Sequence, residues 1–259
     1  MTQYFFLGSL LPPLEFGTIP EMSYKELVVY LETNLSKEDQ KKLQVLRRLI
    51  DLYYLRSFWK EEKIGEKGNF NENELEEALL TRTGFPDYVY NFLEKYENTD
   101  ERLKHFSELL AVFFDEEISK NDGFLRKFLQ LERESRLVMM AFRAKRYNRD
   151  LINELQFEDP NDEIVAEIIS QKDAPSFEPP DKYIELKSIF EEYGEDPIKL
   201  EQHFLKWKFE KIQEMQGVEL FSIDSLLGYV ARLFFVEKWN ELNQEQGLKI
   251  LDSLLKEAK

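Results

Sequence analysis

Apolar residues recur at helical spacing along most of this chain, and strict alternation of apolar and polar positions is almost absent. Ser23 followed by Glu26 reads as a capping box, a hydroxyl for free N–H groups and a carboxylate reaching back, and it opens SYKELVVYLETNL. Ser36 opens a longer helix, SKEDQKKLQVLRRLIDLYYLRSFWKEEK, with Glu38 and Asp39 in the first turn, where the helix dipole favours acids. Within it Leu43, Leu46, Ile50, Tyr53 and Tyr54 repeat at helical spacing. IGEKGNFNEN (64–73) breaks the pattern with glycines and asparagines. ELEEALL predicts a short helix that Gly84 and Pro86 end, and Pro86 suits the first position of PDYVYNFLEKY. Thr99 is placed to cap DERLKHFSELLAVFFDEEI, and NDG (121–123) is a turn. The uninterrupted run 124–151 predicts one helix of about 40 Å at 1.5 Å per residue.

The next stretch differs. Residues 156–183 carry four of the nine prolines and many acids, with one short helical pattern, EIVAEIIS. Three helical patterns follow: DKYIELKSIFEEY, PIKLEQHFLKWKFEKIQEMQ and SIDSLLGYVARLFFVEKWNEL. The last is apolar on nearly every side from Ile223 to Val236, which marks a buried helix. Asn243 with Gln246 reads as a capping box for a final helix, QEQGLKILDSLLKEAK. Only QYFFLGSLL suits an extended segment, and Pro12–Pro13 stops it.

These patterns predict an all-α protein, an irregular multi-helix bundle with a short extended segment at the N-terminus. They divide it into an N-terminal and central helical lobe (1–155), an acidic, proline-containing linker with a short helix (156–180), and a C-terminal lobe (181–259) packing on the first as one compact unit. No repeat of fixed period appears.

Composition narrows the partners. With 35 Lys and Arg against 51 Asp and Glu, the 259-residue chain has a formal charge of −16. That field repels nucleic acid, whose binding gains from a basic footprint. Hydrophobic content of 42% indicates a folded, globular chain. The absence of cysteine excludes disulfides, thiol catalysis and iron–sulfur ligation. The N-terminal apolar run lacks a charged flank and a small-residue cleavage site, so it does not read as a signal peptide. LLGYVARLFFV (226–236), interrupted by Arg232, falls far short of the ~20 residues that span a bilayer. The reading is a soluble protein.

Catalytic signatures are missing. Neither G-x-x-x-x-G-K-[ST], G-x-G-x-x-G nor G-x-S-x-G occurs. NDG is not a calcium loop, because aligning Gly123 to the invariant glycine puts Ile118 at the first ligand position. His105 and His203 sit inside helical patterns without a second ligand at zincin spacing. The acidic runs 115–117, 158–163 and 191–196 read as solvated faces or loops. The expectation is a non-enzymatic protein with no catalytic residue, no metal and no cofactor.

One segment runs against the overall charge. LERESRLVMMAFRAKRYNRDL (131–151) holds six Arg and Lys against three acids. On a helical wheel with Arg136 at zero, Arg133 falls near +60°, Arg143 near −20° and Arg146 near −80°, at about 100° per residue. These four share one arc, while Leu131, Val138 and Phe142 form an apolar stripe. Two readings compete. The arginines pair with the protein's own carboxylates, or they form a partner-binding face for an acidic helix, to which the arginine fork is suited.

Three stretches carry a resemblance. YFFLGSLLPPLEFG, followed by SYKELVVYLETNLSKED, resembles the opening of an uncharacterised bacterial family encoded among the genes of V-type ATPases. FLRKFLQLERESRLVMMAFRAKRYNRD looks like that family's central helix, with Ala141 and, slightly shifted, Arg143, Arg146 and Tyr147 at the matching positions. KWKFEKIQEMQGVELFSIDSLLGYVARLFFVEKWNELNQEQGLKIL is similar to its C-terminal region: a Trp-rich helix, Phe-Ser-Ile-Asp, a Tyr-containing apolar helix, Glu-Lys-Trp, then Gln-Gly. The family in turn resembles the central-stalk component of rotary V/A-type ATPases that is termed C, or d in eukaryotes, a helical funnel between rotor shaft and membrane ring. The resemblance implies a non-catalytic coupling element of a bacterial V-type ATPase engaged in ion transport, or else a helical adaptor or assembly factor for that complex. Its partners would be the other V-type ATPase subunits, those of the rotor shaft and membrane ring. It would be cytoplasmic, and peripheral to the membrane only through them.

Overall fold

The computed structural model describes residues 3–217 and 219–257, with side chains described as far as residue 244. Among the described residues there are thirteen α-helices, one 3-10 turn at Asp181–Tyr183, and no strand. The chain forms two compact units, 1–36 with 188–259, and 37–187.

The first unit holds α1 (Phe5–Leu10), α2 (Tyr24–Asn34), most of α11 (Ile184–Tyr193), α12 (Pro197–Met215) and α13 (Ile223–Glu257). α12 and α13 pack along each other, and Leu200, Phe204, Leu205, Trp207, Phe209 and Ile212 of α12 are buried. Leu227, Val230, Leu233 and Phe234 are buried on α13, as its apolar circumference requires. α2 starts with the expected box: Ser23 accepts from the Glu26 amide, and Glu26 accepts from the Ser23 amide at 2.8 Å. Its first amide, Tyr24 N, donates to Glu237 of α13 at 2.7 Å, so a carboxylate sits at the positive end of α2. The Tyr24 ring packs edge-on against Phe234 at 4.6 Å.

Two expectations fail here. The N-terminal segment is helical, not extended: α1 forms over FFLGSL, and the Tyr4 amide donates to the Phe221 carbonyl at 2.8 Å. Gly8 explains the packing, since a Cβ there would lie 2.5 Å from the Phe221 ring. Nor do Asn243 and Gln246 start a new helix, because α13 runs without interruption from Ile223 to Glu257. The capping pattern is overridden by good helix formers on both sides of it.

The second unit contains α3 (Lys37–Trp59), α4 (Glu72–Thr81), α5 (Asp87–Lys95), α6 (Thr99–Lys104), α7 (Phe106–Lys120), α8 (Gly123–Arg146), α9 (Leu151–Glu154) and α10 (Glu163–Ser170). The inward stripe of α3 is Leu43, Leu46, Leu49, Leu52, Leu55 and Trp59, while Ile50 and Tyr54 are half-buried and Tyr53 is exposed. The loop that leaves α3 is tied back to it. Asp51, fully buried, accepts from the Asn69 amide and the Asn69 Nδ2, both at 2.6 Å. Arg47 Nε donates to the Gly68 carbonyl at 3.1 Å. A Cβ on Gly68 would stand 2.2 Å from the Asp51 carboxylate, so this crossing requires glycine.

Capping shifts by one residue in two places. Asn98, not Thr99, caps α6 by accepting from the Glu101 amide at 2.9 Å. Pro86 occupies the N-cap of α5, and Asp87 takes the first helical position. The expected helix 124–151 ends at Arg146: Asn148 turns left-handed at φ 49°, and the Arg149 amide folds back to the Ala144 carbonyl at 2.8 Å. Most consequential is the segment 156–180. It is no free linker between lobes. It lies inside the second unit, with Ile164, Val165 and Ile168 of α10 buried and α10 packed on α8 and α9.

Candidate interaction site

The basic helix and the acidic segment meet. Arg133 on α8 donates to Glu158 through Nε at 3.1 Å and Nη2 at 2.9 Å, and to Asp162 through Nη1 at 2.9 Å. Arg136 donates to the other Glu158 oxygen at 2.5 Å, and its guanidinium stands 5.7 Å from the Phe114 ring centre. The Glu158 side chain is 5% exposed, against 13% for Arg133 and 21% for Arg136. Removing this carboxylate from water costs several kcal/mol in the absence of partners, by a rough measure, so the two guanidinium groups are what make its burial tolerable. Burial works against the Arg133 charge, but the carboxylates of Glu158 and Asp162 outweigh it and hold the guanidinium above its ordinary range.

Asp162 has a second task. It is the N-cap of α10, accepting from the Val165 amide. At the other end of α10, Lys145 donates to the carbonyls of Gln171 (2.7 Å), Lys172 (2.7 Å) and Ala174 (2.6 Å). An ammonium there satisfies carbonyls that a helix end leaves free, and it complements the negative end of the dipole. From Arg133 to Lys145 a helix rises about 18 Å, and from Asp162 to Gln171 about 14 Å. Matched lengths let one basic helix grip α10 at both ends, the two helices running in the same direction.

The four-arginine arc is therefore divided. Arg133 and Arg136 are internal partners of the protein's own carboxylates. Arg143 and Arg146, further along the same arc, are exposed. They end α8 beside Tyr147, itself 63% exposed. The apolar stripe behaves as its spacing predicts, with Leu131, Val138 and Phe142 all buried. Sequence reasoning missed Glu158, Asp162 and Lys145 as a set. The signal was present in the acidic run just ahead of EIVAEIIS, a helix short enough to lie along the basic one.

Other polar groups have partners of their own. Glu117 is buried with Arg48 at 2.8 Å and accepts from the Tyr88 hydroxyl at 3.3 Å. Burial, with the Glu117 charge beside it, pushes the Tyr88 hydroxyl well above its usual range. His105 stacks on Tyr96 at 4.3 Å and His203 on Tyr193 at 3.6 Å, each with Nδ1 against a carbonyl of its own helix. Among the described residues no three His, Asp or Glu are grouped to hold a metal ion, and no helix is long and apolar enough to cross a membrane.

A family model described as protein of unknown function (DUF2764) matches residues 1–259. The chain belongs to this family. Relatives of the DUF2764 chain include an uncharacterised protein of Chlamydia muridarum, 29% identical over 265 residues that span all of both chains. One from Chlamydia trachomatis serovar D is 29% identical over 262 residues, 99% of this chain and 98% of that one. One from Chlamydia pneumoniae is 28% identical over the whole of both. No solved structure matches the chain.

Proposed function

We propose that this protein is a non-catalytic component of a bacterial V-type rotary ATPase, a coupling element between the central shaft and the membrane ring. The observation that carries the reading is the order of three motif blocks along the chain: the aromatic N-terminus, the basic central helix capped by Tyr147, and the Trp-rich, Phe221-Ser222-Ile223-Asp224 region. An all-helical fold supports it, as does the lack of a spanning helix among the described residues. The protein would then sit on the cytoplasmic face and reach the membrane only through its neighbours. Arg143, Arg146 and Tyr147 form the exposed end of the basic helix, the part of the arc that would face an acidic element of the rotor or its socket.

The test is purification of the V-type ATPase from the native source, with the copies of this chain counted by quantitative mass spectrometry. A fixed stoichiometry with the shaft proteins is expected for a coupling element. Recovery only with incomplete complexes would make it an assembly factor. Absence from every form of the complex would end the reading.

A further inference from the structure

The first unit leaves an apolar face in water. Phe5 and Phe6 of α1 are each 58% exposed, Val29 and Tyr30 of α2 are 61% and 40% exposed, and Leu220 is 69% exposed. These side chains adjoin. The Phe6 ring stands 6.5 Å from the Tyr30 ring, and Tyr30 follows Val29 on α2. The Phe5 ring stands 4.9 Å from Phe221, which follows Leu220. A whole aromatic side chain covers roughly 150–250 Å², so the five exposed parts amount to an area on the order of 500 Å². That lies high in the range of about 300–600 Å² for the largest apolar patch of a monomer, where such patches are often functional.

Charge around this face is arranged in a particular way. One residue in three of the chain is charged, yet no charged side chain occurs from Met1 to Leu14, the longest such run. On α2, Lys25 lies one turn before Val29 and Glu32 one turn after it, and all three are exposed. At 1.5 Å per residue the cation stands about 6 Å from Val29 along the axis, and the anion about 4.5 Å on the other side. The stripe thus reads cation, apolar centre, anion. Turned end over end about Val29 it is its own complement: Lys25 of one copy falls within about 1.5 Å, along the axis, of Glu32 of the other.

We propose that this face binds a second copy of the chain, in a two-fold dimer that lays α2 antiparallel to its counterpart across Val29. In such an interface the same patch serves both copies, and each Lys25 meets Glu32 of the other. Two chains of charge −16 repel each other over most of their surface, so contact is least opposed where charge is absent or cancels. A stable interface takes roughly 800 Å² from each partner, and the apolar patch supplies its core while the polar rim of α2 supplies the remainder. A lipid surface is the rival occupant. Helices that lie in a membrane interface set Lys and Arg on their polar face, and α1 has neither. The inference stands independently of the ATPase reading.

The experiment is analytical ultracentrifugation of the full chain across protein concentration and salt. A monomer–dimer equilibrium is expected, with a Kd on the order of 10 μM, tighter at ~0.2 M than at ~0.02 M salt because the overall repulsion is screened. Val29→Glu sets two carboxylates against each other at the two-fold axis and should abolish the dimer without changing the circular dichroism spectrum. Lys25→Glu and Glu32→Lys should each weaken self-association by about tenfold, since each sets like charges opposite one another. An equimolar mixture of those two variants restores both pairs, and it should dimerise about as tightly as wild type. Wild type that stays monomeric at ~100 μM and ~0.2 M salt overturns the proposal. So does a dimer that survives Val29→Glu, which places the interface elsewhere, and so does a mixture no tighter than its components, which removes the antiparallel register. A monomer that floats with phosphatidylcholine vesicles, and loses this with Phe5→Ser and Phe6→Ser, gives the face to lipid instead.

Discussion

Arg133 and Glu158 are held together by two nitrogens on one carboxylate oxygen, Nε at 3.1 Å and Nη2 at 2.9 Å. The acid comes from the segment that composition marks as a linker, and the base from the helix that composition marks as a docking face. Each reads as exposed in isolation, and together they are buried. Truncating Glu158 should therefore be severe. Glu158→Ala leaves Arg136 without its counter-charge and Arg133 with Asp162 alone, and it is expected to cost about 3–5 kcal/mol in urea unfolding. A loss within the error of a surface substitution would show that solvent reaches the pair.

Lys145 should act locally. Lys145→Met keeps the stem but removes three charge-assisted bonds to the end of α10. The expected global cost is about 1.5–3 kcal/mol, the range for a hydrogen bond to a charged group. Amide exchange should rise in 163–174 and stay unchanged in α12 and α13. Uniform acceleration across the chain would mean that α10 opens only with the whole protein.

Burial on α13 supplies a further number. Phe234 is 7% exposed and packs on Tyr24 at 4.6 Å. Phe234→Ala is expected to cost about 3–5 kcal/mol through lost transfer energy and a residual cavity. The denaturant midpoint measures it. An unchanged midpoint would place this helix outside the cooperative core.

Asp51 makes a pH prediction of unusual sign. Burial raises its carboxyl from 3.8 to about 6, against the opposing hydrogen bonds of Asn69 and Phe70 and the Arg47 charge. Between those values the folded protein holds a proton that the unfolded chain has released. The contribution of this group to stability is thus fully present below 3.8 and is lost as pH rises through about 6. In Asp51→Asn one side-chain donor faces the Asn69 Nδ2, so a hydrogen bond is lost at every pH. The deficit of the variant relative to wild type should be larger at pH 4 than at pH 7, by on the order of 2–3 kcal/mol. A pH-independent deficit would mean that Asp51 titrates alike in both states.

Periodicity and caps made the helices legible. The Ser23–Glu26 box, the α10 pattern EIVAEIIS and the buried circumference of α13 were all visible, because they depend on residues three or four apart. What stayed hidden depends on residues far apart. The extended reading of FFLGSLL fails because Gly8 admits the Phe221 ring, a contact across more than two hundred residues. The linker reading of 156–180 fails because Glu158 and Asp162 find Arg133 and Arg136. The division of the arginine arc has the same origin: helical phase puts four arginines together, but only the first two lie opposite the acidic run.

The exposed pair at the end of α8 tests the docking reading. Arg143 and Arg146 are exposed, so Arg143→Glu with Arg146→Glu should leave the melting curve nearly intact, exposed pairs being worth roughly 0–1 kcal/mol. Arg136→Glu should behave oppositely, because it sets a second carboxylate against buried Glu158 at the position where Arg136 now donates. On the docking reading, the Arg143/Arg146 double variant should associate more slowly with the purified ATPase complex. Its association rate should also depend less on salt, since steering charges are screened beyond about 8 Å at physiological ionic strength. Normal association by a normally folded double variant would move the docking face away from α8.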